Sequence, residues 1–340
     1  MRVELCKNGK IWDSHVVSAP GSSHSHLWNW KQVIEDTYGH STYYLMAVDN
    51  GAIRGVLPLA RIRSWLFGNF MVSLPFMSYG GVLASDEDTR IQLAAKAVEL
   101  AQEFGDRHIE LRQGDTWEGG WVGVSVKVAM IVPLPPTGED LWKNLSGRLR
   151  NKVRTARKQG LIGRWQGSSA ISDFYQVFAT NMRNLGTPVY PRRWFENICR
   201  LFPHQSRVLT LYEGSRPVAS TLVTCFGDTV EMPWIASIPE VRRFYSTVLL
   251  YWTALEWAVE NGYRRVDLGR CTPGSGVYQF KRQWQCIEKP LHWYYWLAPG
   301  ASVPHMRPDN PRFRLAIKAW RRLPLWLANS LGPRIVRSIP

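Results

Sequence analysis

The sequence predicts an α/β (α+β) protein of two tandem domains, each a mixed twisted sheet flanked by helices, followed by a basic C-terminal helix. Three observations carry this reading. One segment recurs at a fixed offset, the same order of elements precedes each copy, and the positive charge gathers in two short stretches. Repetition is the feature to seek first, because it sets the domain count of a 340-residue chain.

The repeat lies in residues 91–111 (IQLAAKAVELAQEFGDRHIEL) and 248–268 (VLLYWTALEWAVENGYRRVDL). Ala97 and Ala254, Glu99 and Glu256, Ala101 and Ala258, Glu103 and Glu260, Gly105 and Gly262, Arg107 and Arg264, and Leu111 and Leu268 all match at one offset of 157 residues. Each copy reads as an amphipathic helix, a Gly stop and a short strand. Upstream, Thr42–Val48 and Ile53–Ile62 read as strands joined by Asp49-Asn50-Gly51, while Arg207–Tyr212 and Pro217–Phe226 read as strands joined by Glu213-Gly214-Ser215. Such turns mark hairpins. A Trp-bearing helix precedes each hairpin, at His26–Tyr38 and at Arg192–Phe202. Each half is thus helix, hairpin, further strand, helix, strand. That order is the acetyltransferase-like (GNAT) layout, with the donor expected ahead of the helices starting near Arg90 and Tyr245. The divisions are 1–135 for the first GNAT-like domain, 136–300 for the second, completed by a Gly-rich loop, and 301–340 for a basic amphipathic tail.

Composition bounds the function. Apolar residues are 45 % and charged residues 20 % of the chain, a globular balance, and 17 Trp residues supply rings for grooves as well as cores. No apolar run approaches the roughly 20 residues that cross a bilayer, and the start lacks the apolar stretch of a signal peptide. Five scattered cysteines (Cys6, Cys199, Cys225, Cys271, Cys286) form no zinc motif and read as reduced thiols, hence a cytoplasmic protein, with peripheral contact at the inner face of the membrane a further expectation from the tail. Residues 143–164 carry eight Lys or Arg and no acid, and residues 307–340 carry eight against Asp309 alone. Two such patches imply polyanionic partners: a phosphate-bearing substrate, tRNA or anionic lipid. Solvated helix faces are the alternative.

A CoA-binding turn normally offers glycines that let backbone N–H groups reach a pyrophosphate. Val241–Val248 contains no glycine, and Ser85–Arg90 contains three acids. Arg242, Arg243, Ser246 and Thr247 can still hold one phosphate; a helix N-terminus with exposed arginines is the competing reading. No cofactor is expected to be tightly bound, and the acyl donor is either aminoacyl-tRNA or acyl-CoA.

The densest motif is Asp267-Leu-Gly-Arg-Cys-Thr-Pro-Gly-Ser-Gly-Val-Tyr-Gln-Phe-Lys-Arg-Gln-Trp284. A strand ends, a Gly-rich loop carries Arg270, and an aromatic segment presents Lys281 and Arg282 between Phe280 and Trp284. Fixed cations beside flexible glycines suit a carboxylate or phosphate. This segment resembles the Gly-x-Gly…Phe-Lys-x-x-Trp signature of FemAB-like proteins of the PEP-CTERM/exosortase-associated group. Leu74-Pro-Phe-Met-Ser-Tyr-Gly-Gly81, the segment from Phe174 through Arg183-Asn-Leu-Gly-Thr-Pro-Val-Tyr-Pro191, and Arg307-Pro-Asp-Asn-Pro resemble that group as well. Gln285 stands where relatives often carry a small residue, and Tyr245-Ser246-Thr247 where they often carry Asn. The resemblance covers nearly the whole chain. It implies a double GNAT fold and transfer of an acyl or aminoacyl group onto an amine, by relatives that take amino acids from charged tRNA. Only the basic segment 143–164 can stand in for the coiled-coil arm of some Fem ligases.

Aminolysis of an activated acyl donor needs positioning and oxyanion stabilisation more than a strong nucleophile. No Ser-His-Asp set is visible, and His24, His26, His40 and His108 have no ligand spacing. Asp267 is the candidate acceptor of the amine proton, or else a structural carboxylate paired with Arg. Lys281 and Arg270 bind a carboxylate or phosphate or steady the oxyanion. Phe280 and Trp284 line the pocket, and Tyr79 lines the acceptor groove or packs its Gly-Gly turn. Arg183 is a second anion contact or a helix cap. In the tail, Asp309 and Asn310 cap a helix begun by Pro311, and Phe313, Leu315, Ile317 and Trp320 mingle with Arg312, Arg314, Lys318, Arg321 and Arg322. Such a segment reads as a membrane-surface anchor, or as a helix docked on the domains. The expected activity is amide formation on an amine-bearing cell-envelope or exopolysaccharide precursor, a glycan or lipid-linked species. A CoA-dependent N-acyltransferase and a non-catalytic RNA- or glycan-binding protein are the alternatives, the last suggested by Trp142 and Trp165 beside the basic segment.

Overall fold

The computed structural model describes residues 1–64, 68–304 and 311–339. The side chains of Arg242, Arg243 and residues 311–314 lie outside the described set, as do Arg307, Asp309 and Asn310 of the tail. The chain forms two compact units. Unit 1 takes residues 1–127, 290–306 and 335–340; unit 2 takes 128–289 and 307–334.

Unit 1 begins with β1 (Arg2–Leu5), α1 (Gly9–Ser18) and α2 (Trp30–Tyr38), then the hairpin β2 (Ser41–Asp49) and β3 (Ala52–Ser64). The hairpin forms where the turn chemistry places it: Asn50 and Gly51 both sit at positive φ, 48° and 80°, which a tight two-residue turn demands. β4 (Gly68–Val72), the short β5 (Leu83–Ala84), α3 (Glu87–Glu103), β6 (His108–Gln113) and β7 (Val122–Pro133) follow, β7 passing into unit 2 from Val128. Asp86 caps α3 by accepting the Thr89 N–H at 2.8 Å. The three acids Asp86, Glu87 and Asp88 therefore serve the positive end of α3, and this accounts for their place at the turn. The expected helix from His26 instead starts at Trp30, because His24–His26 forms a separate buried 3₁₀ turn.

Unit 2 holds α4 (Gly138–Asn144), α5 (Gly147–Lys158), β8 (Leu161–Gln166), α6 (Ile171–Leu185), α7 (Arg192–Leu201) and the strands β9 (Ser206–Glu213), β10 (Arg216–Phe226) and β11 (Thr229–Ser237). Next come α8 (Ser246–Glu260), β12 (Arg265–Cys271) and α9 (Gly276–Arg282), then β13 (Ile287–Leu297), whose residues from Pro290 belong to unit 1. Two tail helices, α10 (Pro311–Trp320) and α11 (Leu325–Val336), complete the chain; α11 was not expected from the sequence.

The internal repeat is real in three dimensions. In unit 1 the strands pair in the order β1-β2-β3-β4-β6-β13, and in unit 2 in the order β7-β12-β11-β10-β9-β8. Each sheet is mixed: β4 runs parallel to β6, and β11 runs parallel to β12. In unit 1 the last parallel partners are Val72 and Glu110; in unit 2 they are Glu231 and Asp267. Glu110 and Asp267 are 157 residues apart, the offset of the repeat. Both parallel pairs are bridged by the repeated helix, α3 or α8, whose apolar face closes the core. Leu93, Ala94, Ala97 and Ala101 pack on Leu45, Leu57, Met71 and Ile109 in unit 1. In unit 2, Leu250, Trp252, Ala254, Leu255 and Ala258 are buried along α8.

Candidate functional site

In unit 2 the pairing of β11 with β12 ends at Glu231 and Asp267, while β11 continues through Ser237. The two strands part there, so the end of their ladder is a gap. Asp267 and Glu231 are both buried at its base. Asp267 Oδ1 accepts the Gly269 N–H at 2.7 Å, a turn made possible by Gly269 at φ 78°. A Cβ on Gly269 would lie 3.3 Å from the Met232 carbonyl oxygen, so the backbone conformation and the crowding both favour glycine. The β7–β12 register shifts between Asp267 and Arg270, a bulge that re-aims the strand at this point.

Lys281 closes the other side. The sequence presents Lys281 in an aromatic segment after the Gly-rich loop; the structure places it in the last turn of α9, 4 % exposed. Ser275 starts α9 by accepting the Tyr278 N–H, and the short helix turns Lys281 inward while Arg282 stays exposed. Lys281 Nζ donates to the Gly269 carbonyl at 2.8 Å and the Arg270 carbonyl at 3.3 Å. Burial pushes its pKa below the usual lysine value, opposed by Cys271, Asp267 and Cys286 nearby. The ammonium therefore fixes the Gly269–Arg270 turn with two of its three N–H groups and shares an electrostatic field with Asp267. Arg270 is half-buried on the same strand. Phe280 and Trp284 flank Lys281 and meet Tyr251 of α8, with centroids at 5.0 Å (edge-on) and 5.7 Å (stacked). Tyr251, Glu231, Cys271 and Cys286 were not singled out from sequence; Glu231 is legible only once its strand pairing is known.

Ser246 opens α8 five residues before Tyr251. It is fully buried, its Oγ has no hydrogen-bond partner among the described residues, and no side chain caps the helix. Beside it Thr247 Oγ1 hydrogen-bonds Ser237 Oγ at 2.8 Å. First-turn N–H groups that no side chain caps and an orphaned hydroxyl at a helix N-terminus fit a phosphate or carboxylate oxygen. The approach is a 3₁₀ turn, Pro239–Phe244, ending in Tyr245 at φ 59°. This Gly-free turn suits one anionic group better than a diphosphate lying along the backbone. The side chains of Arg242 and Arg243 lie outside the described residues. From Glu231 to Ser237 the strand advances six residues, about 20 Å at 3.3 Å each. A ligand held at the Ser246 end would have to be extended to reach Asp267.

The basic helix α5 adjoins this site. Leu149, Val153 and Ala156 are its buried face, and Arg157 meets Glu256 of α8 at 3.1 Å. Lys152 Nζ bonds Gln283 Oε1 at 3.2 Å and lies 5.9 Å from the Tyr245 ring centroid. Gln285 hydrogen-bonds the Asn144 carbonyl. Trp142 and Trp165 face α8 rather than standing as free stacking platforms: they pair with Trp252 and Trp257 at 4.9 and 4.3 Å. Arg183, at the end of α6, is turned toward the tail, with Nη1 3.5 Å from the Leu323 carbonyl oxygen.

Tyr79 belongs to unit 1, half-buried in the loop after Pro75. What holds that loop is a buried network the sequence did not announce. Arg112 donates to Glu110 Oε1 at 2.7 Å and to the Met77 and Leu74 carbonyls at 2.6 and 3.3 Å. Tyr295 donates to Glu110 Oε2 at 2.9 Å, and the Arg112 guanidinium lies 4.6 Å over Trp293. In unit 1 the strand-end acid is thus occupied by its own chain.

Comparison with known proteins agrees with this anatomy. Residues 143–282 match the family model described as an acetyltransferase (GNAT) domain, a span holding Ser246, Asp267, Arg270 and Lys281. Among solved structures, FemX superposes with a TM-score of 0.69 at 14 % identity, covering 93 % of this chain and all of that one. The C-terminal domain (DUF2156) of a putative lysylphosphatidylglycerol synthetase from Agrobacterium fabrum gives 0.57 at 13 %, covering 85 % and 92 %. A tandem GNAT protein from the clavulanic acid biosynthesis pathway gives 0.55 at 11 %, covering 89 % and 100 %. Comparison with curated proteins finds no match. The chain has the tandem GNAT fold, and the fold and domain match together support an acyltransferase.

Proposed function

We propose that this protein forms an amide by moving an aminoacyl group from a tRNA ester onto the amine of a cell-envelope or exopolysaccharide precursor, a glycan or lipid-linked species met at the inner face of the membrane. The observation that carries the reading is the buried Asp267–Lys281 pair at the gap between β11 and β12. The acceptor nitrogen attacks the ester carbonyl carbon; the C–N bond forms, the C–O bond to the ribose breaks, and the ribose hydroxyl leaves with a proton. Asp267 takes the proton from the attacking amine. Lys281 turns its third N–H to the developing oxyanion, Arg270 steadies the donor, and Phe280 and Trp284 exclude water. Ser246, with Arg242 and Arg243, holds a donor phosphate. The same reading takes the chain as two domains, 1–135 and 136–300, with a tail from 301 to 340.

The Gly-free turn and the contact of Lys152 with Tyr245 support tRNA over CoA, because α5 continues the positive surface up to the α8 N-terminus. A CoA-dependent N-acyltransferase is the second reading, supported by the orphaned Ser246 hydroxyl and the acetyltransferase domain match. Filter binding to charged tRNA and to acetyl-CoA, at two salt concentrations, separates them. Replacing the exposed Arg148, Arg154 and Lys158 together by Gln is expected to lower the salt slope of tRNA binding by about 3, roughly one per lost phosphate contact. Binding to acetyl-CoA alone, unaltered in that variant, would put the donor in the CoA class.

A further inference from the structure

We infer that α10 and α11 form a fixed docking surface for an anionic lipid bilayer. The inference gives the envelope-acceptor reading its place of action but stands on its own observations. Within unit 2 the tail packs on the end of α6 and the segment that follows it. Arg321 Nη2 donates to the Leu185 carbonyl at 3.3 Å, and a Cβ on Gly186 would meet Ile317 at 2.6 Å. A Cβ on Gly332 would lie 2.8 Å from the Val189 backbone nitrogen, so α11 is seated on the chain itself. Ile317 thus marks the seated face of α10, continued by Arg321 just past its end, and Ala328 and Gly332 mark that of α11.

On helical geometry the opposite faces present Leu315 and Ala319 on α10, and Trp326, Ser330 and Arg334 on α11, with Arg322 exposed in the turn between them. Leu315 is 77 % exposed and Trp326 72 % exposed, the two highest values among the exposed large apolar residues described. Docking, the ordinary use of an amphipathic helix, is therefore satisfied on one face while a Leu and a Trp remain in water on the other. Around them Lys318, Arg322 and Arg334 are exposed, and residues 307–340 contain eight basic residues against one acid. Isolated apolar side chains set in an unopposed positive field fit the headgroup boundary of an anionic membrane, where indole and aliphatic chains insert and cations meet lipid phosphates. A protein partner would need an acidic face with sockets for both side chains; the bilayer needs neither.

The test is flotation of the full-length protein with vesicles of equal phosphatidylglycerol and phosphatidylcholine, and with phosphatidylcholine alone. Binding to the anionic vesicles is expected, lost in high salt, and weakened about 10²-fold by Leu315→Ser with Trp326→Ser, at about tenfold per deeply inserted side chain. Val17→Ser removes a 69 % exposed valine of α1 and is expected to change nothing. Three results would overturn the proposal: no flotation of the wild type, equal flotation of the Leu315/Trp326 double variant, or sedimentation showing instead that these residues join two copies. Aminoacyl transfer to a soluble amine is expected to be unchanged in the double variant, so failure of lipid docking and failure of the proposed reaction are separately visible.

Discussion

Asp267→Asn lowers aminoacyl transfer about 10²- to 10⁴-fold, the loss expected when a positioned proton acceptor is removed. The substitution keeps the size of the side chain and an oxygen to accept the Gly269 N–H, so the turn survives and the effect falls on kcat rather than on donor affinity. Lys281→Met costs about 10²- to 10³-fold by the same assay, as loss of an oxyanion donor does. It also releases the Gly269 and Arg270 carbonyls, so donor KM rises with it. Lys281→Arg does not rescue, because a forked guanidinium cannot occupy a site closed by Trp284 and the Gly269 backbone. Single-turnover kinetics with a charged tRNA and an amine acceptor measure both. Unchanged kcat in Asp267→Asn would leave that carboxylate a structural role only.

Acidification unfolds unit 1 before unit 2. His24, His26, His40 and His108 are all in unit 1, and burial lowers them to about 3, 4, 4 and 4 respectively. In the unfolded chain each takes a proton near 6.5, so between 6.5 and 4 the unfolded state binds more protons and stability falls as pH falls. A shift of this size is on the order of 3 kcal/mol per histidine by pH 4, and four of them rival the whole stability of a domain. Asp13 and Asp106 are raised by burial and oppose the trend, but only toward the acid end. Hydrogen exchange at pH 7, 5.5 and 4.5 is expected to show protection lost first in residues 1–127 and 290–306. Simultaneous loss in both units would show that these rings do not govern acid unfolding. The loop that carries Tyr79 is expected to open early, since His26 accepts the Ser23 N–H and hydrogen-bonds the backbone of Gly81.

Particular residues show what the sequence made legible. The repeat and the hairpins could be read because Asn50-Gly51 and Gly214 impose their turns locally, whatever surrounds them. Asp267, Arg270 and Lys281 were found as a motif, since they lie within fifteen residues of one another. The direction of Lys281 was not legible: it depends on a seven-residue helix that forms only because Ser275 caps it and Trp284 packs behind it. The Glu110–Arg112–Tyr295 network escaped notice because Tyr295 is 185 residues from Glu110, although the repeat offset places an acid there. The sequence showed only that the histidines lack ligand spacing; their burial is a tertiary fact. The second tail helix was hidden behind Pro324, which ends the first helical pattern, and it tolerates Pro333 within it.

The route of the chain bears on how the protein can be made. Residues 290–306 and 335–339 return to unit 1 after unit 2 has been traced. β13 supplies the strand beside β6, the Tyr294 hydroxyl that binds the Trp117 N–H at 2.6 Å, and Tyr295. A ribosome that has emitted the first 130 residues has therefore delivered a sheet with an open edge and a buried carboxylate still lacking its tyrosine. That nascent species must wait for about 160 further residues, roughly 8 to 32 seconds at 5–20 residues per second, and holding chaperones have the most to protect during that interval.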